Sequence, residues 1–293
     1  TTLTGRWITR HMAAETNKML TGEYDHEGTC VVYGDTDSVY FSAVPVMPED
    51  KTLDMESAIS LYDTISDQVS DTFPQMLKND FNVPLSAGKV MKAGREVVGQ
   101  SGLFITKKRY AIKCLDIEGW QPAGGKLKIM GMDIKRSDTP EFVQDFLEEL
   151  LDNSLSGYTE DQIIEQIKEF KQEFMAKKPW EKGMPKRVNN LTTYGQKLDR
   201  MRTSQQNTTT LTKLQNIQDS NNMIPGHVRA SINWNEFKKA VGDQYSMSIV
   251  DGMKIIVCKL RNNNMGYTNI AYPIDEQNLP EWFRTLPFDE EGM

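Results

Sequence analysis

Asp35 and Asp37 stand two residues apart in the string Tyr33-Gly34-Asp35-Thr36-Asp37-Ser38. Side chains alternate across a strand, so this spacing lets both carboxylates share one face while Thr36 turns away. Two carboxylates held that close repel one another unless a cation lies between them. Oxygen-only ligands suit magnesium or manganese, and magnesium is bound through a few carboxylates together with substrate phosphates. A second group with chemical potential is Thr106-Lys107-Lys108-Arg109-Tyr110-Ala111. Three consecutive cations with an aromatic are costly to bury in an otherwise apolar strand, so the strand should present an edge to an anion. Each group has a plainer counterpart. A bare Asp-x-Asp is more often an acidic surface turn, and a single edge lysine usually blocks sheet association.

The elements that must hold these residues follow from periodicity. Residues 29–43 place valine- and aromatic-rich runs on both sides of the Gly-Asp core, which predicts a β-hairpin with its acids at the tip. Upstream, Trp7, Ile8, His11, Met12 and Met19 fall near helical spacing over residues 4–20, and Gly22 can end that helix. An uncapped helical start reads as a piece of a longer chain or one part of a split protein. Downstream, Ile59, Leu61, Tyr62, Ile65, Val69, Phe73 and Leu77 trace a helix face over residues 54–80, interrupted late by Pro74. Asp63, Asp67 and Asp71 recur every four residues there, and we read them as the wet face of the helix.

Strand character returns over residues 95–116, with Gly99 and Gly102 expected as turns. Lys126 to Met130 reads as a strand, followed by Thr139 as a helix cap with Pro140 at the first helical position. Lys128, Lys135 and Arg136 bracket that helix start, where backbone N–H groups and cations together suit a phosphate. Two amphipathic helices follow over residues 140–153 and 159–177, the second opening on Thr159 and Gln162 as a capping-box pair. Residues 179–222 are polar and broken, which predicts a flexible, mildly basic insert. Strands are expected at 254–260 and 269–273, joined through an Asn-rich turn with Gly266.

Composition narrows the classes. The chain has 293 residues with 38% hydrophobic and 26% charged, enough for one large domain or two smaller ones. No apolar run reaches membrane-spanning length. Three widely spaced cysteines show neither zinc-ligand spacing nor a disulfide framework, and the three histidines are scattered, which argues against a transition-metal site. A net charge of −7 looks wrong for a nucleic-acid binder. Yet between Lys89 and Arg136 eleven basic residues face four acids, so a locally basic stretch lies inside an acidic chain.

The string Y-G-D-T-D-S between two hydrophobic strands resembles motif C of family B DNA polymerases, and further matches follow in that family's order. Lys107-Lys108-Arg109-Tyr110 is similar to its Lys-Lys-x-Tyr motif, and residues 126–140 resemble its palm-to-thumb junction. Residues 224–235 look like the thumb segment of T-even-type phage members. The resemblance implies an α+β fold: an antiparallel palm sheet portion with helices over 1–131, then a mainly helical thumb with a small β element over 132–293, incomplete at its C-terminus. It implies Asp37 as the direct ligand of two magnesium ions, with manganese as the alternative, and Asp35 as a weaker ligand that tunes the site. Tyr33 and Ser38 would shape the hairpin. Lys107, Lys108, Arg109 and Tyr110 would hold the primer–template, with Lys108 also positioning the metal site. Lys128, Lys135, Arg136, His227 and Arg229 would contact duplex phosphates, and no residue is assigned to the nucleotide.

The implied partners are primer–template DNA, deoxynucleoside triphosphates in the complete enzyme, and an upstream half carrying motif A, the fingers and the exonuclease. A sliding clamp for the full-length protein and a location in the host cell cytoplasm complete that picture, with no membrane. Because the motif-A aspartate is missing, the chain alone is expected not to polymerise. The contrasting reading is a non-catalytic DNA-binding remnant.

Overall fold

The computed structural model describes residues 2–49, 53–205, 224–263 and 266–290. Over these residues it is α+β, with three small sheets that are all antiparallel. Contacts divide the chain into two units, Thr1–Met132 with Leu151–Thr159, and Asp133–Leu150 with Glu160–Met293.

In the first unit, helix α1 (Thr2–Thr21) ends where Gly22 turns left-handed at φ 85°, returning its N–H to the Lys18 carbonyl. Helix α2 (Met55–Phe81) is capped by Asp54, whose carboxylate accepts the Ser57 N–H at 2.8 Å, and is closed by left-handed Asn82. Pro74 lies inside α2, so the expected interruption does not occur. Proline removes one backbone donor, but Ile65, Val69 and Phe73 before it and Met76 and Leu77 after it are all buried in one cluster. Truncating Phe73, almost fully enclosed there, should cost about 3–5 kcal/mol. Polar ties join α1 to its surroundings. His11 bridges the Tyr24 and Thr72 hydroxyls, each at 2.8 Å, and buried Asn17 accepts the Cys30 N–H.

Strands β1 (Val31–Asp35) and β2 (Ser38–Phe41) form one hairpin. After the short helix α3 (Leu85–Gly88), strands β3 (Val97–Thr106), β4 (Arg109–Ile117) and β5 (Lys126–Met130) make a sheet in that order. Gly99 and Gly102, expected as turns, lie within β3. The register shifts on both sides of Gly99, and the reversal falls instead at Lys107-Lys108. Glycine inside a strand commonly marks such irregularities, and at Gly99 a side chain would collide with Ile112.

In the second unit, Phe146 of helix α4 (Glu141–Leu155) stacks on Phe170 of helix α5 (Glu160–Ala176), 3.7 Å between ring centroids. The polar insert proves ordered over its first part. Residues Met184–Arg187 form β6, which pairs with β7 (Lys254–Lys259), and Leu191–Gln205 form α6. Its apolar residues are few, but Val188, Leu191 and Leu198 are all buried, which outweighs the polar average. The remainder of that segment, and part of the Asn-rich turn, lie outside the described residues. Helix α7 (Gly226–Ala240) packs Val228, Ile232 and Trp234 beside β7 and β8 (Asn269–Pro273), and α8 (Glu281–Arg284) adds fully buried Phe283.

Candidate functional site

Asp35 pairs with Ser38, leaving Thr36 and Asp37 as a two-residue turn. Thr36 takes a left-handed φ of 51°, unusual for a β-branched residue, and the Asp37 N–H closes the turn onto the Asp35 carbonyl at 2.6 Å. Helix α1 steadies this tip, since the Thr9 hydroxyl donates to the Thr36 carbonyl at 2.7 Å. Because Asp35 ends β1 while Asp37 lies in the turn, the two acids border different clefts. Asp35 lines one of about 950 Å³ with Arg6, Arg10, Lys107 and Lys108. Asp37, more exposed, lines another of about 520 Å³ with Tyr40, Lys92, Arg95 and Glu96.

The β3–β4 hairpin meets this tip. Thr106 pairs with Arg109, so Lys107 and Lys108 form its turn, where the sequence suggested a strand edge. Lys108 is left-handed at φ 63°; its N–H donates to the Tyr33 hydroxyl at 2.7 Å and its Nζ lies 3.8 Å from the Asp35 carboxylate. Beneath the two tips Tyr33, Tyr40, Phe104 and Tyr110 cluster with ring centroids 5.3–5.9 Å apart. The Tyr40 and Tyr110 hydroxyls share a hydrogen bond of 2.9 Å. Burial first, and that bond second, push the Tyr40 phenol well above its ordinary pKa, so it stays protonated. Tyr110 is buried and its hydroxyl is turned to Tyr40. Its place is inside the scaffold that holds the tips together.

The remaining sequence-derived residues sit differently. Lys128 on β5 pairs with Glu96 at 2.6 Å; burial opposes its charge, but the Glu96 contact prevails and raises its pKa. In the second unit Lys135 pairs with Glu148, and Arg136 binds Asp138 at 2.9 Å and Asp133 at 3.4 Å. Asp138 also takes Lys186 at 2.7 Å, and hydrogen bonds from Arg136 and then Lys186 hold its carboxyl well below the usual range. His227, second residue of α7, has its pKa lowered by burial and then by Lys186. Burial and then Arg202 lower that of Arg229, whose Nη1 is enclosed without a hydrogen-bond partner.

Thus Asp35, Asp37, Lys107, Lys108, Arg109, Tyr110 and Lys128 all belong to the first unit, where Asp35, Lys107 and Lys108 share a cleft, while Lys135, Arg136, His227 and Arg229 belong to the second. The sequence reading missed Arg6 and Arg10. They are exposed, one helical turn apart on α1, and both line the Asp35 cleft. Their i, i+4 spacing was the available signal.

The Asp35 and Asp37 carboxylates are hard oxygen donors of the kind magnesium takes, so they fit such an ion in kind. In number they are a partial set: among the described residues, no group of three or more His, Cys, Asp and Glu side chains is placed to hold a metal. Also among the described residues, no helix is long and apolar enough to cross a membrane.

Comparison with known proteins gives a match between residues 2–271 and the family model described as DNA polymerase family B. The chain is similar to the DNA-directed DNA polymerase of Enterobacteria phage T4, 25% identical over 96% of this chain and 30% of that protein. It is also similar to the DNA-directed DNA polymerase of Escherichia phage RB69, 30% identical over 50% of this chain and 17% of that protein. The chain therefore spans less than a third of the length of these relatives.

Proposed function

The chain belongs to DNA polymerase family B, and from that premise we propose that it forms the C-terminal palm and the thumb of a template-directed DNA polymerase of a tailed phage. The observation that carries this reading is the meeting of the two hairpin tips. It brings Lys108 to the Asp35 carboxylate and to the Tyr33 hydroxyl.

In this proposal Asp37 is the direct ligand of the divalent ions, and Asp35, held by Lys108, tunes the site from the neighbouring cleft. Two magnesium ions, or manganese in their place, would supply charge neutralisation for nucleotidyl transfer. Lys107 and Arg109 bear on the primer–template backbone from the second hairpin, and Arg6 and Arg10 extend that positive lining along α1. Tyr110 acts through Tyr40 by keeping the tips in register. Lys128, Lys135, Arg136, His227 and Arg229 serve the duplex phosphates, several of them by exchanging an internal carboxylate for a phosphate. Such contacts position the duplex without reading its sequence, as an enzyme that copies any template requires.

Two carboxylates leave a paired-ion site short of ligands. The proposal therefore includes an upstream half with motif A, fingers and exonuclease, which also brings the deoxynucleoside triphosphate. A sliding clamp and the host cytoplasm belong to the same reading.

The test is magnesium-dependent primer extension by this chain, alone and with the upstream half of a family B polymerase supplied. Activity should need both parts. Asp37→Ala should then lose at least ~10³-fold in rate, the equivalent of several kcal/mol of lost charge stabilisation, and Asp35→Ala less. Equal, mild defects would mean the ligand is misassigned. Salt-sensitive DNA binding with no extension in any combination would favour a non-catalytic DNA-binding remnant.

A further inference from the structure

Gly131 follows β5 in a left-handed conformation, φ 61°, directly against the Lys107-Lys108 turn. A Cβ built at residue 131 would fall far inside van der Waals contact distance of the Lys108 carbonyl oxygen and 3.1 Å from its carbonyl carbon. Backbone atoms cannot swing aside as a flexible side-chain end can, so the approach of Lys108 to this spot requires glycine. Lys108 is itself left-handed at φ 63°, a conformation that non-glycine residues hold only when their surroundings over-determine it.

Two neighbours bear on the Lys108 backbone. The Tyr33 hydroxyl takes its N–H, and the bare face of Gly131 leaves room for its C=O. From the backbone so placed, Lys108 Nζ lies 3.8 Å from the Asp35 carboxylate. Neither of these contacts falls on Lys107. We infer that Gly131 is a positioning residue for the candidate catalytic site, whose missing side chain lets the Lys107-Lys108 turn seat on the end of β5 and aim Lys108 at Asp35. This rests on the reading of Asp35 and Lys108 as parts of that site, and adds Gly131 as the third member of a relay from β5 to the acidic hairpin.

The experiment observes Lys108 directly and requires no catalysis, so it remains readable if the polymerase reading fails. Lysines of the full chain are reductively methylated with ¹³C-formaldehyde, and the Lys108 signal is assigned by its loss in Lys108→Arg. In the native background, Asp35→Asn should shift the Lys108 dimethylamine resonance and leave that of Lys107 nearly still. In Gly131→Ala that response of Lys108 should vanish. Gly131→Asn separates the two causes, because asparagine tolerates a left-handed φ yet carries the offending Cβ. It should behave like alanine.

Tyr33→Phe, which removes one hydroxyl and no carbon, guards against a Gly131 variant that does not fold and should weaken the same response. A response to Asp35→Asn that persists in folded Gly131→Ala, or is undiminished in Tyr33→Phe when the glycine variants do not fold, would overturn the inference and leave Gly131 as a strand terminator. With the upstream half present, Gly131→Ala and Lys108→Ala should each reduce extension, and the double variant should be no worse than Lys108→Ala.

Discussion

The basic residues of the β3–β4 tip and those around the start of α4 look alike in sequence, yet the fold treats them in opposite ways. At the tip, Lys107 has no ion pair among the described residues, and Lys108 reaches Asp35 only at 3.8 Å. Around α4, Arg136 and Lys186 converge on Asp138 at 2.9 and 2.7 Å, Lys135 pairs with Glu148, and Lys128 on β5 is held by Glu96 at 2.6 Å. A count of positive charges along the chain does not measure what is available to an anion. Local acids decide that, whether near in sequence, as Asp138 is to Arg136, or distant, as Glu96 is to Lys128.

The largest effect should come from removing each set of cations in turn and following DNA binding against salt. Changing Lys107 and Lys108 together to Ala should flatten the slope of log affinity against log salt by up to ~1.8, if both meet phosphates. Changing Lys135 and Arg136 together should change it by no more than about 1, because those cations are held at short range by carboxylates. Fluorescence anisotropy on one primer–template duplex across a salt series measures both. Equal changes would show that the ion pairs open freely and that the comparison has no energetic content.

A smaller effect is carried by two of the three histidines, His11 in the first unit and His227 in the second. Burial lowers the pKa of His11 below its ordinary 6.5, so near and below that pH the unfolded chain binds more protons than the native one. The stabilising contribution of neutral His11 is therefore complete above about 6.5 and is lost as pH falls through the depressed native value. Thermal unfolding from pH 7.5 to 5.5 should show a falling Tm, less steep in His11→Gln. An unchanged slope in that variant would place the acid sensitivity elsewhere. For His227 the second cause is Lys186, so Lys186→Gln should move its NMR-observed titration back toward higher pH. The His11 titration should stay where it was.

Much of the architecture was legible. The acidic hairpin, the long helix α2, the α4–α5 pair and the strands β7 and β8 all announce themselves through periodicity. What failed has identifiable causes. Pro74 was read by its intrinsic preference, and the buried residues on both sides of it override that. Gly99 and Gly102 were read as turns, whereas the chain reverses at two lysines, residues with no turn signal of their own. There the Lys108 N–H meets the Tyr33 hydroxyl and its carbonyl lies against Gly131, both distant in sequence. The stretch containing β6 and α6 was hidden because a few well-placed apolar residues, Val188, Leu191 and Leu198, do not raise a window average. At the candidate site, residue types were readable and directions were not: the divergence of Asp35 and Asp37 follows from the left-handed Thr36, which no pattern of polar and apolar residues encodes.

The three cysteines offer the protein its own clock. Cys30, Cys114 and Cys258 are all fully buried, and burial raises each thiol pKa, that of Cys258 to about 12. Thiolate is the reactive form, so a disulfide reagent must wait for each neighbourhood to open. Cys30 leads into the acidic hairpin, Cys114 sits in the middle strand of its sheet, and Cys258 lies in the core of the second unit. Three labelling rates, resolved by mass spectrometry, would therefore report three opening free energies from one unmodified sample. If the hairpin end and the second unit open independently, the rates at Cys30 and Cys258 will separate; a single shared rate would mean that the chain opens as one cooperative body.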